Sequence, residues 1–272
     1  MSFPDACRWL ANGTNIILDT YRPRTPTADR PARPFDAARY ARLFEHPWLS
    51  DEARTFLFTE RRLDPRVVSW CRLTSWTDRQ GTHWLQTPYF DASGQLIGLQ
   101  NRNLDYVKHR GDEGEEDKRS VDKGNGSMAK GKQGQAVEAK PEGREAPRFR
   151  FPYGSRCTVY NLPVTAMLRP GEPLFITEGC SDCWAMLSAG HKAIAIPSAT
   201  LLSQADKALL RDLAQRLGTS FHMFPDRDAP GERLFMQLKE VLPGLQHHQL
   251  PVGCKDFAEY YVSALAKNKL GG

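Results

Sequence analysis

The chain has 272 residues, 40% of them hydrophobic and 25% charged, which is enough to bury one bilobed core or two small domains. The formal net charge of +5 suits a polyanionic partner without identifying one. No apolar run approaches the roughly 18 residues of a membrane helix, and the first residues lack a basic and apolar signal region, so we expect a cytoplasmic protein with no membrane partner.

The first 50 residues combine a short amphipathic segment with a tether. Residues 3–10 place their apolar side chains on one side of a predicted helix. Residues 22–35 are rich in proline and arginine and have neither helical nor strand periodicity, which is typical of a tether. We therefore predict that residues 1–50 form an N-terminal helix and tether ahead of the main fold.

Residues 107–147 are dense in Gly, Lys, Glu and Asp and contain almost no large apolar side chain. Such a segment buries too little apolar surface to offset the entropy of ordering it. Its acids are interleaved among its lysines, which favours a solvated loop over a nucleic-acid-binding element. We predict a disordered insertion within one lobe, which is formed by residues 51–106 and 148–170.

The last part of the chain, residues 171–272, alternates short apolar runs with amphipathic stretches of helical length. The apolar runs are residues 174–177, 193–196, 220–224 and 248–251. This alternation predicts βαβ units, in which the strands are parallel. We predict an α/β fold in which a parallel sheet of about four strands with flanking helices follows a smaller α+β lobe.

Acidic side chains directly follow two of the predicted strands. Glu178 follows the first strand and Asp182 comes four residues later, whereas Asp226 and Asp228 follow the third strand. Ligands of open α/β sheets bind beyond the carboxyl ends of the strands, so these side chains should converge on one crevice. Grouped carboxylates hold Mg²⁺ against phosphate, and the pattern therefore predicts Mg²⁺ or Mn²⁺ as the cofactor.

Three motifs in this region resemble the Toprim domain, which DnaG-type primases share with topoisomerases and some nucleases. They are Glu178-Gly179-Cys180-Ser181-Asp182, then Asp226-Arg227-Asp228 with Gly231 shortly after, and finally Lys255-Asp256. The resemblance extends from about residue 173 to residue 259. It implies that Glu178, Asp182, Asp226 and Asp228 are catalytic, and that the metal ligands are these four residues and Asp256.

The preceding part resembles the N-terminal half of the DnaG-type primase RNA polymerase core. Residues 56–63 look like a helix that leads to an arginine, and residues 84–102 look like a hairpin with a glycine turn that leads to another. Residues 148–152 and 159–162 look like two further short motifs of that family. The resemblance implies binding of nucleic acid or nucleotide by Arg61, Arg102, Arg148, Arg150 and Lys255.

The two resemblances together imply a primase, a DNA-directed RNA polymerase of the nucleotidyltransferase class. It would synthesise short RNA primers on single-stranded DNA from ribonucleoside triphosphates by two-metal catalysis. The sequence holds no Gly-x-x-x-x-Gly-Lys-Ser/Thr loop, so a separate helicase is expected as a partner. Two alternatives remain open: a Toprim nuclease, and a non-catalytic nucleic-acid-binding replication accessory protein of a mobile genetic element.

Cysteine usage departs from the primase pattern, in which an N-terminal zinc ribbon is usual. No cysteine or histidine cluster precedes residue 50, so we expect no zinc in the chain and a ribbon in a separate domain or protein. Cys180 and Cys183 have no second pair at zinc-ribbon spacing and are interpreted as packing residues. Trp70, Trp76 and Trp84 are interpreted as core residues rather than base-stacking residues.

Overall fold

The structure is a computed structural model that describes residues 34–106, 146–197 and 202–270. The predicted helix at residues 3–10, most of the predicted tether and nearly all of the predicted insertion lie outside these ranges. Within them, no helix is both long and apolar enough to cross a membrane.

The N-terminal lobe is built on an antiparallel sheet with the spatial order β1-β2-β3-β4. Its strands are β1 (Thr74–Thr77), β2 (His83–Phe90), β3 (Leu96–Asn103) and β4 (Phe149–Arg150). β2 and β3 form a hairpin, in which the Asp91 carboxylate accepts backbone hydrogen bonds from Ser93 and Gln95. The predicted hairpin leading to Arg102 is confirmed.

Short helices precede this sheet. They are α1 (Ala37–Glu45), α2 (Asp51–Arg54), a π-helix (Thr55–Glu60) that continues α2, and α3 (Pro65–Trp70). Ser50 caps α2 by accepting the Ala53 N–H, and Asp64 caps α3 by accepting the Arg66 N–H. A π-helix makes a wider turn than an α-helix and occurs frequently at functional sites. Here it ends immediately before Arg61.

The C-terminal lobe contains a parallel sheet with the spatial order β6-β5-β7-β8. Its strands are β5 (Leu174–Glu178), β6 (Lys192–Ile196), β7 (Phe221–Met223) and β8 (Gln246–His247). The helices of this lobe are α4 (Cys180–Ser188), α5 (Gln204–Leu217), α6 (Ala229–Val241) and α7 (Phe257–Leu270). The predicted four-stranded parallel sheet with flanking helices is confirmed.

The last strand of this sheet does not lie where the sequence predicted it. Apolar content indicated residues 248–251, whereas β8 is formed by the exposed pair Gln246 and His247. His248 still donates its N–H to the Met223 carbonyl oxygen, but Pro251 has no N–H and begins a turn. The prediction was wrong because a short strand at the edge of a sheet needs no apolar side chains.

Two hydrophobic clusters hold the fold together. The first contains Leu85 and Tyr89 of the N-terminal sheet together with Cys183 and Met186 of α4, so the two lobes share a core. The second cluster covers the other face of the parallel sheet, where side chains of β5 and β6 pack against α5 and α6. The shared core fixes the N-terminal sheet against the helix that begins after Glu178.

The packing role of Cys180 and Cys183 is confirmed, because both are buried. The interpretation of the tryptophans was correct only for Trp84, which is fully buried. Trp70 and Trp76 are 42% and 39% exposed and are not core residues. Each donates its indole N–H to an asparagine side chain, so the N–H edge of the ring is held against the protein while the rest is partly exposed.

Candidate active site

Acidic side chains lie at the carboxyl ends of two neighbouring parallel strands, at the same edge of the sheet. β5 ends at Glu178, and Gly179, at φ +91°, makes the turn into α4, whose first turn carries Asp182. β7 pairs with β5 and is followed by Asp226 and Asp228. Asp256 precedes α7. These five residues are called the acidic cluster below: Glu178, Asp182, Asp226, Asp228 and Asp256.

The charges of the acidic cluster act on one another. The pKa of Asp226 is raised to about 9, first by burial and then by Asp182, Glu178, Asp256 and Asp228. The pKa of Asp182 is raised to about 7, chiefly by burial and by Asp256. Like charges raise carboxyl pKa values in this way only when the groups are close together. The structure therefore brings the predicted acids together.

Helix N-termini fix three of these carboxylates. Asp182 Oδ1 accepts the Ala258 N–H at 2.8 Å, and Asp256 Oδ1 accepts the Glu259 N–H at 2.8 Å, both in the first turn of α7. Asp228 is the N-cap of α6, and its Oδ1 accepts the Gly231 N–H at 2.9 Å. Each of these carboxylates thus has one oxygen engaged by backbone and is held in a defined orientation.

Gly231 allows α6 to approach the backbone of Asp226 closely. A Cβ at this position would lie 2.5 Å from the Asp226 carbonyl oxygen and 2.8 Å from its nitrogen. Only a residue without a side chain fits against this turn. The close packing of α6 against the Asp226 backbone therefore requires the glycine that follows the Asp-x-Asp motif.

Lys255 brings a positive charge to the edge of the acidic cluster. Its Nζ lies 3.3 Å from Asp228 Oδ2, and its carbonyl oxygen accepts the Arg227 N–H. The lysine side chain is about half exposed, so its charge can also face a ligand in solvent. The segment before α7 is thereby tied to the segment after β7.

The acidic cluster has the donor chemistry of a Mg²⁺ or Mn²⁺ site, since it offers buried carboxylate oxygens whose repulsion a divalent cation would relieve. As the side chains are placed, no three or more His, Cys, Asp or Glu residues in the described ranges are arranged to hold an ion. Mg²⁺ usually keeps several of its waters and takes only one or two carboxylates directly. The residues present therefore fit such an ion by their chemistry, although one oxygen each of Asp182, Asp228 and Asp256 accepts a hydrogen bond from a helix N-terminus.

Three arginines of the N-terminal lobe form a second charged group, called the arginine cluster below: Arg61, Arg102 and Arg148. Arg61 and Arg102 lie over the Phe56 ring at 5.3 and 4.8 Å, and Arg148 lies over Phe149 at 5.1 Å. Burial, with Arg148 and Arg61, lowers the pKa of Arg102 to about 10. No described carboxylate forms an ion pair with Arg102, although the charge of Glu60 acts on it and raises its pKa.

Arg61 connects the two clusters. Its charge lowers the pKa of Asp182 and repels Arg102, so it lies near both the acids and the other arginines. The π-helix positions Arg61 at its end, where the Arg61 N–H donates to the Phe56 carbonyl oxygen. Carboxylates and arginines that lie near one another can bind a metal-complexed phosphate chain.

Arg150 stands apart from the other predicted basic residues. It is the register partner of Asn101, and because side chains alternate along a strand it lies on the opposite sheet face from Arg102. Its guanidinium lies 3.3 Å from Asp78 Oδ2 and 4.4 Å from the centre of the Trp84 ring. The structure thus gives Arg150 a local partner, and its binding of nucleic acid stays a prediction.

Sequence reasoning missed the buried contacts that join the lobes behind the acidic cluster. The Tyr89 hydroxyl of β2 lies 3.2 Å from Cys180 Sγ at the start of α4. The Tyr160 hydroxyl accepts the Trp184 indole N–H at 3.0 Å, while the Tyr160 backbone pairs with Ala195 of β6. Neither tyrosine lies near a residue of the acidic cluster in the sequence. Only the tertiary fold shows that they support the helix carrying Asp182.

No protein-family model matches the chain, and no curated protein matches it in sequence. Several solved structures share its fold at low identity. The Aquifex aeolicus primase, with its zinc-binding and RNA polymerase domains, is 15% identical at a TM-score of 0.57, over 100% of this chain and 66% of that one. The E. coli primase catalytic core is 16% identical at a TM-score of 0.51, over 84% and 73% of the two chains.

The primase fragment of the bacteriophage T7 primase-helicase is 12% identical at a TM-score of 0.51, over 78% of this chain and 72% of that one. This chain thus spans 66% to 73% of the lengths of the three proteins. At such identities the similarity shows the fold. The chain has the fold of the DnaG-type primase catalytic core.

Proposed function

We propose that this chain is a DNA primase-like nucleotidyltransferase that synthesises short RNA primers on single-stranded DNA. The observation that carries the proposal is the arrangement of the two clusters. Carboxylates that raise one another's pKa values lie close to the arginine cluster, because the charge of Arg61 acts on both Asp182 and Arg102. Joining a nucleotide to a strand needs both groups, because phosphates must be held while their charge is neutralised.

The acidic cluster would hold Mg²⁺ or Mn²⁺, with Asp226, Asp228 and Asp182 as the leading ligands. Bound there, such an ion neutralises charge on the reacting phosphate and lowers the pKa of the attacking 3′ hydroxyl. With a pKa of about 9, Asp226 carries a proton at neutral pH and releases it when a cation replaces that proton. Glu178, at the end of β5, would serve as a further ligand or accept the hydroxyl proton.

The arginine cluster would bind phosphates of the template strand and of the incoming ribonucleoside triphosphate. Its guanidiniums are stacked on Phe56 and Phe149, which leaves their N–H groups for phosphate oxygens. Lys255 adds a positive charge beside the acidic cluster. As partners we propose a helicase for unwinding and a zinc ribbon for template choice.

The decisive experiment incubates the full chain with mixed-sequence single-stranded DNA, four ribonucleotides of which one is labelled, and Mg²⁺ or Mn²⁺. The test variant is Asp226→Ala/Asp228→Ala. The matched control is Asp212→Ala, which removes an exposed carboxylate of α5 on another face of the protein. We expect labelled oligomers from the wild type and the control and none from the test variant.

Other outcomes identify the alternatives. Degradation of a labelled template by the wild type, with no oligomers formed, would indicate a Toprim nuclease using the same acids. An intact and bound template without oligomers would indicate a non-catalytic accessory protein. Full synthesis by Asp226→Ala/Asp228→Ala would contradict the assignment of the acidic cluster.

A further inference from the structure

Arg62 has a backbone conformation that residues with side chains rarely adopt. Its φ is +51°, in the left-handed region that favours glycine. The Leu63 N–H, immediately after it, donates to the Leu57 carbonyl oxygen, and this bond closes the turn that ends the π-helix. Glycine is the usual residue at such a helix end. The turn alone therefore does not account for an arginine at this position.

The guanidinium of Arg62 is also in an energetically unfavourable environment. Its Nη1 is buried and has no hydrogen-bond partner among the residues that the structure describes. A charged N–H donor that is removed from water normally acquires an acceptor, because leaving it unpaired is unfavourable. Backbone strain and an unpaired donor in one residue together point to an acceptor that the described residues do not supply.

The location of Arg62 indicates what that acceptor is. Arg61, the preceding residue, acts electrostatically on both Asp182 and Arg102. The Tyr261 hydroxyl of α7 donates to the Arg62 carbonyl oxygen at 3.1 Å. The same helix donates its Ala258 N–H to Asp182. The turn that carries Arg62 is thus anchored to the helix that begins at the acidic cluster.

We propose that Arg62 is a phosphate-binding residue in addition to the arginine cluster. The guanidinium fork matches two phosphate oxygens, and the phosphate could belong to a single-stranded nucleic acid or to a nucleotide. The inference rests on the proposed function for the presence of such a ligand near the acidic cluster. Its test measures binding alone, so it does not require synthesis.

Binding is measured by fluorescence anisotropy on the full chain in two arms, one with labelled oligothymidylate and one with labelled GTP, each over a series of salt concentrations. The test variants are Arg62→Gly, which removes strain and charge, and Arg62→Met, which keeps the strained backbone and removes the charge. The matched control is Arg72→Gly. Arg72 is an exposed arginine with φ +50° that lies over the Phe90 ring.

We expect Arg62→Gly to weaken binding about tenfold in the arm that supplies the phosphate. If that arm is the oligonucleotide, the slope of log affinity against log salt should fall by about 0.7. The same variant should melt about 2 to 4 °C higher, because glycine relieves the backbone strain. Arg62→Met should lose the affinity without the gain in Tm, and Arg72→Gly should gain Tm with affinity unchanged.

A loss of affinity together with a gain in Tm in Arg62→Gly distinguishes a binding role from a structural one. Unchanged affinity of Arg62→Gly in both arms would overturn the inference, as would a wild type that binds neither probe. A wild type that binds through Arg62 yet makes no primers would overturn the proposed function and leave this inference standing.

Discussion

At the scale of single residues, the protonation of Asp226 links stability to pH. Its pKa is about 9 in the folded protein against 3.8 for an unperturbed aspartate, so between these values the folded state binds more protons than the unfolded state. Stability contributed by this group is therefore complete below about pH 4 and is lost as the pH rises towards 9. The protein without metal should melt at progressively lower temperature across this range.

We expect Asp226→Asn to raise the Tm of the metal-free protein at neutral and alkaline pH and to flatten its pH dependence. The amide cannot ionise, so folding no longer requires protonation of a carboxyl at neutral pH or a charge among four other acids at alkaline pH. The measurement is thermal unfolding in EDTA at a series of pH values. Asp212→Asn, an exposed change on α5, serves as the control and should keep the wild-type profile.

Adding Mg²⁺ gives a second comparison on the same residue. The wild type should regain Tm at alkaline pH, where the acids are ionised and able to bind the cation. Asp226→Asn should regain much less, since one ligand has been neutralised. A pH profile of Asp226→Asn that follows the wild type in EDTA would show that Asp226 is not the group that titrates.

At the scale of elements, α6 and the turn after β7 form one packed unit. In an ordinary helix Gly→Ala is favourable by about 1 kcal/mol, because alanine restricts the unfolded chain. At Gly231 the new Cβ would instead meet the Asp226 backbone at 2.5 Å. We expect Gly231→Ala to lower the free energy of unfolding by about 1 to 3 kcal/mol, as overpacking does.

The same substitution should weaken Mg²⁺ binding and primer synthesis, because Asp226 can relieve the clash only by moving. Gly244→Ala is the matched control, since a Cβ there meets nothing within 4 Å. Chemical denaturation and Mg²⁺ titration check both variants. Wild-type Mg²⁺ affinity in Gly231→Ala would mean that the turn accommodates a methyl group without moving Asp226.

Elements also show where sequence reasoning succeeds. The alternation of apolar runs with amphipathic stretches was sufficient to predict the parallel sheet, because buried strands and amphipathic helices repeat in βα order. The same alternation placed Glu178 and Asp226 at the ends of strands. It failed for β8, whose two exposed residues carry no apolar signal. It also gave no sign of the π-helix before Arg61, since an extra residue in a helical turn leaves the apolar pattern nearly unchanged.

At the scale of the whole molecule, the two lobes meet through side chains that are far apart in sequence. The contact of Tyr89 with Cys180 depends on how the N-terminal sheet docks onto α4. Sequence spacing cannot give such a docking. Because one hydrophobic cluster contains residues of both lobes, the described fold should unfold as a single cooperative unit.

Tyr160→Phe tests this coupling. Trp184 is only 2% exposed, and the substitution leaves its indole N–H without an acceptor. We therefore expect the free energy of unfolding to fall by about 1 to 3 kcal/mol. Because both lobes share the core, circular dichroism and tryptophan fluorescence should report one transition at the same lowered denaturant midpoint. Tyr153→Phe, at a side chain 50% exposed, should leave the midpoint unchanged. Separate transitions for the two probes would show that the lobes fold independently, and α4 would then have to hold Asp182 in place without the N-terminal sheet.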